Sequence, residues 1–336
     1  MRQAILVVVG VALLVTVAHT QTRIGTVPAK ASTLRTPWGD PDLQGVWNVA
    51  AGTPLERPPA LAGKEFLTDD ELAQAEKQIH ERNSADRRDG AATDDVRREA
   101  NEFWFEKRPT ILTRRTSLII DPPDGKLPPL TPTAAQKPVA KGNEFRSADG
   151  PEDRGLGERC IARESNGPPI VELPSINEHL IGFAFHFQIF QSANYVAILS
   201  ETVQQVRIIP LDGRPHLPQS VRQWLGDSRG HWEGTTLVVE TTNFHDKRLF
   251  LGLTVENMRV VERFTRGSAD TLDYQFTIDD PTRWTKPWTA AVPIGKTDGP
   301  IYEFACQEGN YSMRNILSGA RAQEKVAAQA EKTGSR

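Results

Sequence analysis

The sequence predicts a mostly β protein built on an antiparallel β-barrel, with a β-sandwich as the alternative and an N-terminal helical and Pro-rich wrapping. Leu272, Tyr274, Phe276 and Ile278 alternate with Thr271, Asp273, Gln275 and Thr277, the period of a strand with one buried face. Phe183, Phe185, Phe187 and Ile189 alternate with Ala184, His186 and Gln188 in the same way. Further runs at residues 195–201, 206–211, 235–242, 258–265, 284–292 and 301–306 bring the expected number of strands to about eight. A long antiparallel meander with few helices buries its edges by closing into a barrel or by stacking into a sandwich. No repeat period emerges.

Length and charge set the outer bounds. The 336 residues leave room for two ordinary domains or one large β domain. With 38% hydrophobic and 25% charged residues, the composition excludes collagen-like, wholly disordered and polytopic membrane classes. Forty basic residues face 43 acidic ones. That balance lacks the dense basic footprint needed to neutralise phosphates, so no nucleic acid is expected as a partner.

Along the chain, Arg2 precedes an apolar run from Ala4 to Val17 and then Ala18-His19-Thr20. This pattern is a secretory leader over residues 1–20, with cleavage near Thr20 and a retained N-terminal anchor as the alternative. The folded part is then expected in the periplasm or outside the cell, with no membrane span once the leader is removed. Residues 21–44 read as a linker, and Gly45-Val46-Trp47 as a first strand. Residues 45–175 form a covering segment. In it, Thr68 and Glu71 make a capping box and Leu67 and Leu72 a hydrophobic staple, so a helix starts near Asp69. Its apolar stripe of Leu72, Ala75 and Ile79 is thin, which suits a surface helix. The charged stretch 81–102 ends in Phe103-Trp104-Phe105, a candidate docking point. Residues 121–174 hold Pro122-Pro123, Pro128-Pro129 and Pro168-Pro169. Proline removes ladder donors, so this part reads as ordered, non-strand cover, with disorder as the alternative over 133–157. The β domain is expected over 176–321, and a flexible tail over 322–336.

Cys160 and Cys306 are the only cysteines. In an exported chain an even pair favours a disulfide, and the long loop it closes would contribute about 4–5 kcal/mol by chain entropy. Two buried thiols are the alternative. No CxxC or HExxH is present, so no metal is expected. There is likewise no phosphate loop, haem motif or complete nucleotide fingerprint, and no cofactor is expected.

The string from Trp224 to Phe244, Gly226-Asp227-Ser228-Arg229-Gly230-His231-Trp232-Glu233-Gly234-Thr235-Thr236-Leu237-Val238-Val239-Glu240-Thr241-Thr242-Asn243 between them, resembles a largely uncharacterised bacterial family of secreted proteins. Ser117-Leu118-Ile119-Ile120-Asp121-Pro122-Pro123-Asp124-Gly125, Arg207-Ile208-Ile209-Pro210-Leu211-Asp212-Gly213-Arg214-Pro215-His216 and Tyr302-Glu303-Phe304-Ala305-Cys306-Gln307-Glu308-Gly309-Asn310 extend the resemblance over most of the mature chain. The resemblance implies a lipocalin-like fold, to which Gly45-Val46-Trp47 is similar as a barrel opening. It implies no settled reaction. Relatives follow the equivalent of Glu201 with Met-Ile-His, whereas Thr202-Val203-Gln204 stand here.

Several residues are candidates for a site. Gly226-Asp227-Ser228-Arg229-Gly230 fits G-x-S-x-G, but a β-branched strand follows where a nucleophile elbow needs a helix, so a polar structural loop is the better reading. Glu262 shares a strand face with Met258, Val260 and Phe264, and Glu201 with Tyr195, Ala197 and Leu199. A carboxylate on an apolar face finds a cation, such as Arg207, Arg259 or Arg263, or shifts its pKa toward acid–base work. His186 joins these as a candidate base if its strand face lines the interior. The candidate catalytic set is therefore Glu201, Glu262 and His186, and the candidate ligand-binding set is Tyr195, Arg207, His216, Trp284 and Trp288. Trp284 and Trp288 are expected on one strand face, for core packing or stacking on a flat ligand. The function these residues suit best is binding of a small apolar or amphipathic molecule. A cofactor-free isomerase, hydratase or lyase, and a carbohydrate-binding or envelope interaction protein, are the alternatives.

Overall fold

Period-two alternation becomes strand through most of the second half of the chain. The structure, a computed structural model, describes residues 34–49, 52–82, 113–136, 147–163, 167–171 and 186–334. The leader, the 83–112 stretch with its aromatic triplet, and Phe183 and Phe185 lie outside the described residues. The strands are β1 (Gly45–Asn48), β2 (Ile119–Asp121), β3 (His186–Gln191), β4 (Tyr195–Ser200), β5 (Val206–Pro210) and β6 (Asp227–Glu233). They continue with β7 (Thr236–Thr242), β8 (Leu249–Phe250), β9 (Leu253–Thr254), β10 (Arg259–Arg266), β11 (Thr271–Asp279) and β12 (Trp288–Lys296).

Nine strands form one antiparallel path, β5-β4-β3-β1-β12-β11-β10-β7-β6, with β2 added on β12 and β8-β9 a separate hairpin. The end strands β5 and β6 lie beside each other, so the path is a nearly closed barrel. It consists of two meanders, β3-β4-β5 and β10-β11-β12, with the β6–β7 hairpin laid on β10 and β1 inserted between β3 and β12. Thus the first strand of the chain joins the two halves. Trp47 of β1 faces Phe187 across the ladder and is fully buried, as is the interior stripe of β11, Leu272, Tyr274, Phe276 and Ile278. All of these belong to one continuous apolar core.

The string around residues 226–244 is the β6–β7 hairpin, and its glycines have separate tasks. A Cβ on Gly230 would stand 2.8 Å from Ile209 Cγ2 and from Leu211 Cδ2, so the missing side chain lets β6 approach β5 at the seam. Gly226 has φ +72°, and a Cβ there would meet Thr241 Cγ2 at 2.6 Å and the Thr242 carbonyl at 2.7 Å. Gly226→Ala is expected to lose about 1–3 kcal/mol, because backbone strain and a contact with immovable main chain add together. Gly213→Ala is the control for strain alone, with φ +73° and nothing near its missing Cβ. Urea melts that show equal losses for the two variants would remove the steric component.

Three expectations change. Residues 301–306 form no strand, since the Tyr302 amide donates to the Glu201 carboxylate rather than to a ladder. Trp284 precedes β12, because the Asp280 carbonyl accepts the Arg283 and Trp284 amides and turns the chain between Pro281 and Pro287. Residues 322–334, read as tail, continue the helix Tyr311–Gly334. The side chain of Asn310 accepts the Met313 amide at its N-terminus, and an alanine-rich second half sustains it. The other main helix, Asp69–Arg82, starts with the expected capping box, with the Thr68 amide 2.8 Å from Glu71 Oε2 and the Glu71 amide 3.3 Å from Thr68 Oγ1.

The disulfide between Cys160 and Cys306 is present. It ties residues 155–163 to residues 301–310 over one end of the barrel. Asn310 Nδ2 donates to the Glu158 carbonyl at 2.7 Å, and Gln205 Nε2 donates to the Ile161 carbonyl. Among the described residues, no helix is long and apolar enough to cross a membrane.

Candidate functional site

Strand alternation sends Val260, Glu262 and Phe264 of β10, and Arg207 and Ile209 of β5, to the interior, where all are buried. β5 closes the barrel near β6, so Arg207 reaches across to Glu262, which is 0% exposed. Both guanidinium nitrogens donate: Nη2 to Oε1 at 3.2 Å and Nη1 to Oε2 in a close ion pair. Tyr274 completes the group. In the β10–β11 register Glu262 faces Phe276 and Phe264 faces Tyr274, so Tyr274 is the diagonal neighbour of the carboxylate, and its hydroxyl donates to Oε1 at 2.8 Å. Burial, reinforced by the Glu262 charge, pushes the Tyr274 phenol well above its ordinary range, with Arg207 opposing. It is therefore a neutral donor at any working pH. Its oxygen also accepts the Ile170 amide at 2.9 Å.

Around this network the interior is aromatic. Phe264 packs against Tyr274 with tilted rings whose centroids are 4.7 Å apart, and Trp288 lies edge-on to Phe276 at 5.7 Å and to Trp284 at 5.8 Å. The two tryptophans are thus core neighbours, brought together by the Asp280 turn, which sets Trp284 against the inward Trp288 of β12.

His186 and Glu201 meet elsewhere. His186 precedes the inward Phe187 and so points away from the interior, opposite Asn48 in the ladder. Glu201 follows the last residue of β4 rather than continuing the face of Tyr195, Ala197 and Leu199, which is outward. His186 Nδ1 lies 3.2 Å from Glu201 Oε2, and both side chains are buried beneath the Tyr302 main chain, whose amide is 3.0 Å from Glu201 Oε1. The structure therefore separates the three candidate acid–base residues into a Glu262 site inside the barrel and a His186–Glu201 pair under the disulfide-linked cover. Tyr195 is exposed on the outer face, where the Arg214 guanidinium donates to its hydroxyl at 3.2 Å.

His216 sits in the loop leading to β6. Its Nδ1 is 2.8 Å from Asp227 Oδ2, and its Nε2 is 3.3 Å from Glu240 Oε1. Asp227 is held by Arg229 Nη1 at 2.7 Å and by the Leu217 amide at 2.9 Å, so the imidazole is fixed between two carboxylates. Burial alone would raise the Glu240 carboxyl, but hydrogen bonding and charge from Arg259, then His216, leave it below its ordinary value. A depressed carboxylate stabilises the fold above its unfolded pKa, and that contribution is lost as pH falls through the folded value. Arg259→Gln is expected to move the Glu240 titration upward in carboxyl-resolved NMR and to flatten the acid loss of stability. An unmoved titration would mean that the ion pair does not form in solution. The Ser228 hydroxyl is buried and 2.8 Å from Thr241 Oγ1, a structural contact across the β6–β7 ladder.

Tyr274, Glu240 and the buried Arg248 were not singled out as site residues by sequence. Tyr274 carried a usable signal, since a phenol on an otherwise apolar strand face must find a partner for its hydroxyl. Among the described residues no group of three His, Cys, Asp or Glu could hold a metal ion. No family model, curated protein or solved structure matches the chain.

Proposed function

We propose that this is an exported binding protein whose barrel interior takes a small apolar or amphipathic molecule, with Arg207, Glu262 and Tyr274 as its polar anchor. The observation that carries this reading is a buried carboxylate, guanidinium and phenol set inside an aromatic core. For stability alone, packed apolar side chains of similar volume serve as well as or better than a buried ion pair. A binding cavity needs a few fixed polar groups among apolar walls, which is the composition found here. The burial of Trp47, Trp284 and Trp288 favours an interior ligand over a carbohydrate held on an exposed aromatic row. The disulfide fits an oxidising compartment. An acid–base enzyme in the same interior is favoured less, since both Glu262 oxygens already accept strong donors and His186–Glu201 lies outside the interior.

Native mass spectrometry of protein isolated from its own periplasm tests the proposal. The expected result is a bound mass that disappears when Arg207 and Glu262 are jointly replaced by apolar residues. Protein that carries nothing and takes up no 1-anilinonaphthalene-8-sulfonate would overturn it.

A further inference from the structure

The anchor is in contact with a piece of the chain itself. Residues 167–171, Gly-Pro-Pro-Ile-Val, are all buried, and Ile170 and Val171 belong to the barrel core although they lie in no strand. Two main-chain groups hold the segment. The Ile170 amide donates to Tyr274 Oη at 2.9 Å, and the Gly167 carbonyl accepts from Arg248 Nη2 at 2.7 Å. Pro168 and Pro169 have no amide hydrogen, so the middle of this segment cannot supply ladder donors.

The polarity of the anchor follows from its chemistry. A carboxylate only accepts, so the Tyr274 hydrogen is committed to Glu262 and the phenol oxygen is left to accept from whatever lies beside it. A guanidinium only donates, so Arg248 asks for a carbonyl or another acceptor. The interior is therefore matched to a carbonyl oxygen followed, a few bonds along, by an N–H, with branched apolar groups next to them. A plain hydrocarbon offers neither group. A peptide main chain offers both, and residues 167–171 are such a main chain.

Resting on the reading of the interior as a binding site, we infer that Gly167–Val171 is a built-in occupant of that site, and that the ligand class is a short apolar peptide or peptide-like amide that displaces it. The segment and the ligand then compete for Tyr274 and Arg248. Apparent affinity is reduced by the fraction of molecules in which the segment is in place, so loosening the segment tightens binding in trans.

The test uses the full mature chain and a fluorophore-labelled, N-acetylated Gly-Pro-Pro-Ile-Val amide, followed by anisotropy. Ile170→Pro deletes the amide that Tyr274 accepts, and Ile170→Ala keeps the amide but removes most of the side chain. In whichever variant retains the wild-type circular dichroism, the peptide is expected to bind at least about tenfold tighter than in the wild type, the loss of competition. Adding Tyr274→Phe should reverse that gain. Equal peptide affinity in wild type and the Ile170 variants, or a gain that survives Tyr274→Phe, overturns the inference. Uptake of 1-anilinonaphthalene-8-sulfonate separates the two failures. If the probe binds in an Arg207- and Glu262-dependent way but the peptide does not, the inference falls and the binding function stands. If neither binds a folded form, both fall.

Discussion

Glu262→Gln is expected to lower the unfolding free energy by about 3–5 kcal/mol, the cost of leaving a buried charge without its counter-charge. Gln keeps the shape and still offers an acceptor to Tyr274, so no cavity term enters. The loss belongs to Arg207, whose side chain is 5% exposed and whose guanidinium donates from both terminal nitrogens to Glu262. Arg207→Met should cost a similar amount, because it strands the carboxylate. The double variant Arg207→Met with Glu262→Leu removes both charges, and most of the stability is expected to return. This cycle also separates fold from function: a ligand anchored by the pair is lost in the double variant even though its melting midpoint is restored. Single variants with wild-type melting would mean that the pair is not formed in the buried interior, and the β5-to-β6 closure of the barrel would have to be redrawn. Recovery of stability with full ligand retention would leave the barrel intact and remove the anchor from the proposed function.

How much of this was legible depended on whether the signal was local. Alternation in residues 272–278 and 258–265 gave two strands and their buried faces, because side-chain direction in a strand is a matter of parity. Parity also put Glu262 on an apolar face and named Arg207 among its possible partners. It could not choose among Arg207, Arg259 and Arg263. That choice is made by closure of the sheet, which brings β5 beside β6, and is a property of the whole barrel. Arg259 and Arg263 instead reach outward to Glu240 and Glu233. Glu201 was misplaced for a related reason. Counting by twos from Tyr195 assumes that the strand continues, but β4 ends at Ser200 and a 3-10 turn over Thr202–Gln204 follows. The run 301–306 has apolar residues at strand-like intervals, yet its amides are used by a carboxylate and a turn. The placement of Gly167–Val171 inside the core left no local mark beyond the prolines, since what recognises it is a tyrosine more than one hundred residues away in sequence.

Replacing Cys160 and Cys306 by serine is expected to cost about 5 kcal/mol on the chain-entropy model, since the bond closes a loop with a sequence separation of 146. Native strain and residual structure in the unfolded chain reduce such figures, so a loss of about 2–5 kcal/mol is the range to look for. The effect should also have an address. The bond joins the two covering segments, as does the Asn310 side chain at the Glu158 carbonyl, and the Tyr302 amide and Ile161 carbonyl attach them to Glu201 and Gln205. If the bond holds the cover, hydrogen exchange in the serine variant should rise first at Tyr302, while amides of β10 and β11, paired over eight consecutive positions, keep their protection relative to global unfolding. His186 and Glu201 would then become open to solvent, and the imidazole should react with diethylpyrocarbonate where the wild-type side chain does not. Two free thiols in unfolded, unreduced wild-type protein would refute the bond itself. A serine variant with unchanged stability and unchanged Tyr302 protection would show that the cover is held by its side chains and hydrogen bonds, with the disulfide adding nothing that they do not already supply.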